Sequence, residues 1–123
     1  MNWSSIFWVA LGSVFGTAAR RQLSVTSLTH FRKSLSRFPW TTLLINASGC
    51  FLLGLTNNAW ITAHASLRWF VDIGFLGGFT TFSTFVYETI QLTKSSKRLA
   101  LFYGFTSVSV SLIAFSLATW ILL

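Results

Sequence analysis

Four apolar stretches, separated by three short polar ones, set the pattern along this chain. They cover residues 3–19, 40–63, 69–90 and 99–123. Each is near the roughly 20 residues an α-helix needs to cross a bilayer, with about 17–25 tolerated. Trp3, Trp40, Trp60, Trp69 and Trp120 stand near their ends, the interfacial position that Trp favours. The pattern predicts an all-α integral membrane protein: residues 1–123 as one transmembrane domain of four helices in the lipid bilayer.

The polar stretches differ. Residues 20–39 mix Leu23, Leu28, Phe31, Leu35 and Phe38 with Arg, Lys and Ser, compatible with an interfacial helix or an irregular connector. Residues 64–68 form a tight second connection, and residues 92–98 the third. With four spans, the first and third connections share one side. They carry Arg20, Arg21, Arg32, Lys33, Arg37, Lys94, Lys97 and Arg98, against Arg68 alone on the other side. The positive-inside rule places these basic loops in the cytoplasm and both termini outside.

Composition supports a bilayer. Of the 123 residues 53% are hydrophobic and 9% charged. A soluble domain carries about 25% charged residues, and a small one has proportionally more surface to hydrate. The net charge of +7 raises nucleic acid as a partner. The basic residues lie between apolar spans, not as a stripe on a folded domain, so no nucleic-acid partner is expected. No basic residue precedes the first span, which therefore reads as a retained helix and not a signal peptide. The lone Cys50 offers no metal spacing and no disulfide framework, and reads as a small buried apolar residue. No nucleophile–base group is visible, so the chain is not expected to be an enzyme.

Polar residues inside the spans are the candidates for chemistry. The third span reads GFLGGFTTFSTF from Gly74 to Phe85. Three Gly and a run of hydroxyl residues weaken a helix there, predicting a break. Broken backbone in a membrane is tolerated only in protein or beside a cavity. Freed carbonyls near Gly77 and Thr80 permit a cation site, and close helix packing explains the same residues. Phe75, Phe79, Phe82 and Phe85 recur in this span; ring edges carry partial positive charge and can meet a small anion. Asn46, inside the second span, can donate to an anion or bond a neighbouring helix. Tyr103, Ser107 and Ser111 are four apart and share one helical face, although Ser109 shows that Ser is frequent here. Asp72 and Glu88 lie toward the ends of the third span, and Glu88 is expected to pair with Arg20, Arg21 or a loop Lys. A mid-membrane acid, which a proton-coupled exporter would need, is missing.

With these motifs the chain resembles the CrcB/Fluc family of small fluoride channels. The third-span GFLGGFTTFSTF followed by Glu88 carries most of the resemblance. Pro39, the run from Asn46 to Gly49, Phe51 and Gly54 are similar to the family's second span, and Gly12, Gly16 and Arg20 to its opening. Ser13, Arg21 and Thr41 depart from the usual Gly, Tyr and Gly. The resemblance implies an antiparallel dimer with two narrow pores that pass fluoride passively. It implies a structural Na+ held by the backbone carbonyls of Gly77 and Thr80. It assigns Phe82 and Phe85 as pore aromatics and Asn46 as the pore amide. Tyr103, Ser107 and Ser111 become a polar track, with Ser83 and Thr84 as neighbouring hydroxyls and Arg20 at the vestibule. The uneven loop charge adds an expectation of one fixed topology and an opposite-topology paralogue as partner. An accessory subunit of a paired channel and a small four-span multidrug exporter are the competing readings.

Overall fold

The computed structural model describes residues 2–31, 37–57, 61 and 63–122. Arg32, Lys33, Leu35 and Trp60 lie outside the described residues. The first helix is Trp3–Phe31 and the second Trp40–Thr56. The third span runs through Ala65–Arg68, a π-helical stretch Trp69–Phe75 and Leu76–Phe79, then restarts as Phe82–Ser95. The last helix is Lys97–Ile121.

Several bounds move from the sequence pattern. The first helix continues unbroken past Arg20, so the start of the first connection is helical. At 1.5 Å per residue its 29 residues extend about 43 Å, longer than a hydrocarbon core of about 30 Å. The helix is thus long enough for its basic end to project beyond such a layer. Residues 65–68, expected as a connection, are already helical. The third connection shrinks to Ser96, whose extended backbone turns the chain and whose Oγ accepts from Leu99 N–H at 3.3 Å. That is an N-cap, and it lets one helix follow another with a single residue between them.

Among the described residues, Ala65–Ser95 and Lys97–Ile121 are long and apolar enough to cross a membrane. The second helix is apolar but shorter, at 17 residues. Large side chains such as Leu101, Phe105, Leu112 and Ile113 face outward, as lipid contact requires.

Packing runs in two pairs. The second helix lies along the last, and the first along the third span. Glycines set the second pair. A Cβ at Gly12 would collide with Phe70 O, and one at Gly16 with Phe75 O. The two backbones thus touch directly, as small residues allow in membranes. Ser13, between these two glycines, fits by donating its hydroxyl to Gly74 O at 3.3 Å. Gly54 does the same for the first pair, with Phe115 O and Ala118 Cβ both 2.6 Å from where its Cβ would stand.

Candidate functional site

The third span breaks at Thr80 and Thr81, where both backbones become extended. The break is tied on every side. Thr80 N–H and Oγ1–H both donate to Leu76 O, at 3.0 and 2.9 Å, closing the incoming half-helix. Thr81 Oγ1 accepts from Thr84 N–H at 3.3 Å and donates to Thr84 Oγ1 at 2.9 Å, capping the outgoing half. Asn46 then clamps the exposed backbone from the second helix. Its Oδ1 accepts from Thr81 N–H at 2.8 Å, and its Nδ2 donates to Thr81 O at 3.1 Å. An acceptor must face the N–H, so these bonds fix the amide orientation and leave one Nδ2 hydrogen for another acceptor. Arg20 reaches the same break from the first helix and donates to Thr80 O at 3.3 Å.

The break also divides the Phe stripe. Phe75 and Phe79 stack with centroids 5.9 Å apart, and Phe79 is buried. Phe82 and Phe85 belong to the outgoing half, 5.9 Å apart and tilted. They line a cavity of about 220 Å³ with Asn46, Ser107 and Ser111. Five of the residues singled out for an anion path therefore meet around one space whose lining side chains carry no charge. Phe82 is 77% exposed in the single chain, so this cavity opens on an uncovered face.

The remaining candidates are placed differently. Tyr103 is on the same helical face as Ser107 but is completely buried, at 0% exposure. Its hydroxyl donates to Glu88 Oε2 at 2.8 Å, while Thr42 Oγ1 donates to Glu88 Oε1 at 2.9 Å. Glu88 thus pairs with two hydroxyls, not with Arg20, Arg21 or a loop Lys as expected. Arg20 is occupied at Thr80 instead. Phe38 lies perpendicular to the Tyr103 ring at 5.3 Å, and Phe85 lies 5.4 Å away on another side. Ser107 Oγ is buried and has no hydrogen-bond partner among the described residues. Ser83 and Thr84 sit exposed at the cap of the outgoing half-helix and do not line the 220 Å³ cavity. Glu88 and Thr42 were missed as a pair because 46 residues separate them and no periodicity links them.

A second cavity of about 340 Å³ lies between the second helix and the break. Asn46, Gly49, Cys50, Asp72, Gly77 and Thr80 are on its wall. A Cβ at Gly77 would meet nothing within 4 Å, so that backbone is open to the space. Asn46 borders both cavities.

Comparison with known proteins agrees with this architecture. Residues 7–119 match the family model described as CrcB-like protein, Camphor Resistance (CrcB). The fluoride-specific ion channel FluC of Geobacter sp. is 39% identical over 119 residues, covering 94% of this chain and 91% of that protein. A FluC of Thermus thermophilus is 41% identical over 108 residues, 85% and 83% of the two chains. Fluoride-specific ion channel FluC 2 of Clostridium acetobutylicum is 34% identical across 94% of this chain and 95% of its own. With an all-helical fold, a broken third span and a family match over most of its length, this chain belongs to the CrcB-like family of membrane proteins.

Proposed function

We propose that this chain is a fluoride-selective passive channel, exporting cytoplasmic fluoride as one half of an antiparallel pair. The observation that carries it is the uncharged cavity where Asn46, Phe82, Phe85, Ser107 and Ser111 converge. Fluoride enters as neutral HF and is trapped as the anion, so a passive path out relieves its accumulation. A small anion leaving water needs donors that hold it weakly enough to release it. The spare Nδ2 hydrogen of Asn46, the unpartnered Ser107 hydroxyl and the Phe ring edges are such groups. A buried Lys or Arg would instead trap the ion.

Tyr103 extends the track beyond Ser107. Its proton is held by Glu88, so an anion reaching Tyr103 competes with a carboxylate for one donor. Thr84 acts at the rim through the Thr81 cap, and Ser83 stands beside it outside the cavity wall. Arg20 adds positive potential at the vestibule through the break itself.

We extend the proposal to a structural Na+ at the carbonyls of Gly77 and Thr80, where the ion would share Thr80 O with, or displace, the Arg20 guanidinium. The Gly77 backbone is open to the 340 Å³ cavity, Thr80 is unwound beside it, and hard cations take oxygen ligands. Bound there, the cation would tie the halves of the break together and raise the local positive potential.

The face that carries Phe82 also opens a cavity lined by Asn46, Ser107 and Ser111, polar groups that lipid cannot satisfy and that a second subunit would cover. The eight-to-one division of basic residues favours one orientation, and hence an opposite-topology paralogue. The same bias supports a second reading, an accessory subunit in a paired channel. Fluoride efflux from liposomes, with chloride as control, tests both. Selective efflux only when the paralogue is co-reconstituted is the expected result. Efflux from the chain alone overturns the pairing, and no selective efflux from either preparation overturns the channel.

A further inference from the structure

The outgoing half-helix, Phe82–Ser95, has two exposed faces of different chemistry. Phe85, Glu88, Thr89 and Leu92 are its only residues that are not exposed. At about 100° per residue these four share one side of the helix. Phe82, Val86 and Ile90 occupy roughly the next 80° of arc, and Lys94, Tyr87, Gln91 and Thr84 roughly the 80° beyond. Tyr87 is 63% and Ile90 54% exposed, so this chain covers neither face. Lipid or an apolar partner suits Phe82, Val86 and Ile90. The other face it does not suit, because bare hydroxyls and amides are costly in hydrocarbon. Gln91 Nε2 donates to the Tyr87 hydroxyl at 2.9 Å. That leaves the Tyr87 proton and the Gln91 carbonyl without a partner among the described residues.

The polar strip also has direction. It starts where Thr84 and Thr81 bond at the break, and it ends at Lys94, with Lys97 and Arg98 just beyond. At 1.5 Å per residue, Thr84 to Lys94 rises about 15 Å, half of a hydrocarbon core of about 30 Å. The break divides Ala65–Ser95 near its middle, so the strip joins mid-membrane depth to the basic surface. A second copy of this chain covers it poorly. Lys94 would need an acid, and of the two acids in the sequence Glu88 is held by Thr42 and Tyr103 while Asp72 lies beside Arg68. We propose that Thr84, Tyr87, Gln91 and Lys94 line a water-filled inlet along which hydrated small anions travel between the basic surface and the break. The inference rests on the channel reading and adds an approach route, on a wall separate from the 220 Å³ cavity. Lys94 draws anions to the mouth. Water satisfies the hydroxyls and the amide in any orientation, so the ion keeps its hydration until it reaches the break.

The test is thiol accessibility in membranes that hold the assembled channel. Tyr87→Cys, Gln91→Cys, Val86→Cys and Ile90→Cys are made singly in a Cys50→Ala background, which removes the one native thiol. The probe is a membrane-impermeant cationic methanethiosulfonate, which reacts with the thiolate and hence with a thiol in water. Tyr87→Cys and Gln91→Cys should react at least about tenfold faster than Val86→Cys and Ile90→Cys. Slow reaction at both polar positions overturns the inlet and makes the strip a covered subunit seam. Equally fast reaction at all four overturns the division into two faces. Charge supplies a second readout. Gln91→Lys should raise fluoride efflux at low salt and Gln91→Glu lower it, each about twofold, the scale of one charge about 10 Å from an ion in water. The difference should vanish near 1 M salt, where the Debye length is about 3 Å. Efflux indifferent to both substitutions at low salt overturns the anion route. A background channel without selective fluoride efflux, but with the labelling pattern intact, overturns the channel reading and leaves the strip a wet face.

Discussion

Replacing Tyr103 with Phe removes one oxygen and little else. The ring keeps its packing against Phe38 at 5.3 Å and Phe85 at 5.4 Å, so no cavity opens. The loss is the hydrogen bond to Glu88 Oε2 at 2.8 Å. A bond to a charged group contributes about 1.5–3 kcal/mol, and an orphaned buried acceptor costs a similar amount. Thr42 still holds the other oxygen, and Glu88 is half-buried, so part of the penalty is recovered by water. The expected destabilisation is about 2 kcal/mol, measured by equilibrium unfolding in mixed detergent. Thr42→Val should lose a similar amount by the same reasoning. Transport separates structure from passage. If the ion accepts a hydrogen bond from the Tyr103 hydroxyl during conduction, fluoride efflux of the paired channel falls about tenfold for each 1.4 kcal/mol added to the barrier, whereas Thr42→Val changes it little. Unchanged stability in Tyr103→Phe would refute the Glu88 bond. Unchanged efflux with lowered stability would make Tyr103 a structural anchor and end the track at Ser107.

Three more expectations follow from the packing and the cavity wall. Gly16→Ala drives a Cβ into Phe75 O and should cost about 1–3 kcal/mol on the same unfolding assay, whereas Gly104→Ala, with nothing within 4 Å, should be neutral or slightly stabilising. Ser107→Ala removes a buried, unpartnered hydroxyl from the cavity wall and should lower efflux with no loss of stability, since deleting an unbonded hydroxyl costs the fold nothing. Ser83→Ala, outside that wall, should leave efflux within about twofold of wild type.

Much of the fold is legible along the chain. Apolar runs of membrane length, Trp at their ends and the Gly/Thr interruption of the third span follow from local rules, because a bilayer demands long apolar helices and Gly weakens them. The shared face of Tyr103, Ser107 and Ser111 follows from the 3.6-residue period. The division of basic residues is likewise a property of order alone.

Which polar group meets which was decided in three dimensions. Periodicity says that Glu88 faces one way on its helix, not that Thr42 and Tyr103 stand opposite while Arg20 is taken up at Thr80. Asn46 reads equally well as an ion donor or a structural bond. Packing gives it the exposed backbone of Thr81 and still leaves it at the edge of both cavities. Asp72 reads as a residue near a helix end, and only the assembled structure buries one of its oxygens with no hydrogen-bond partner among the described residues. The physical reason is common to all three. A helix's own sequence fixes which residues share a face, but the contact made by that face depends on how closely and at what height a neighbour docks, and here backbone-to-backbone approaches at Gly12, Gly16 and Gly54 set both.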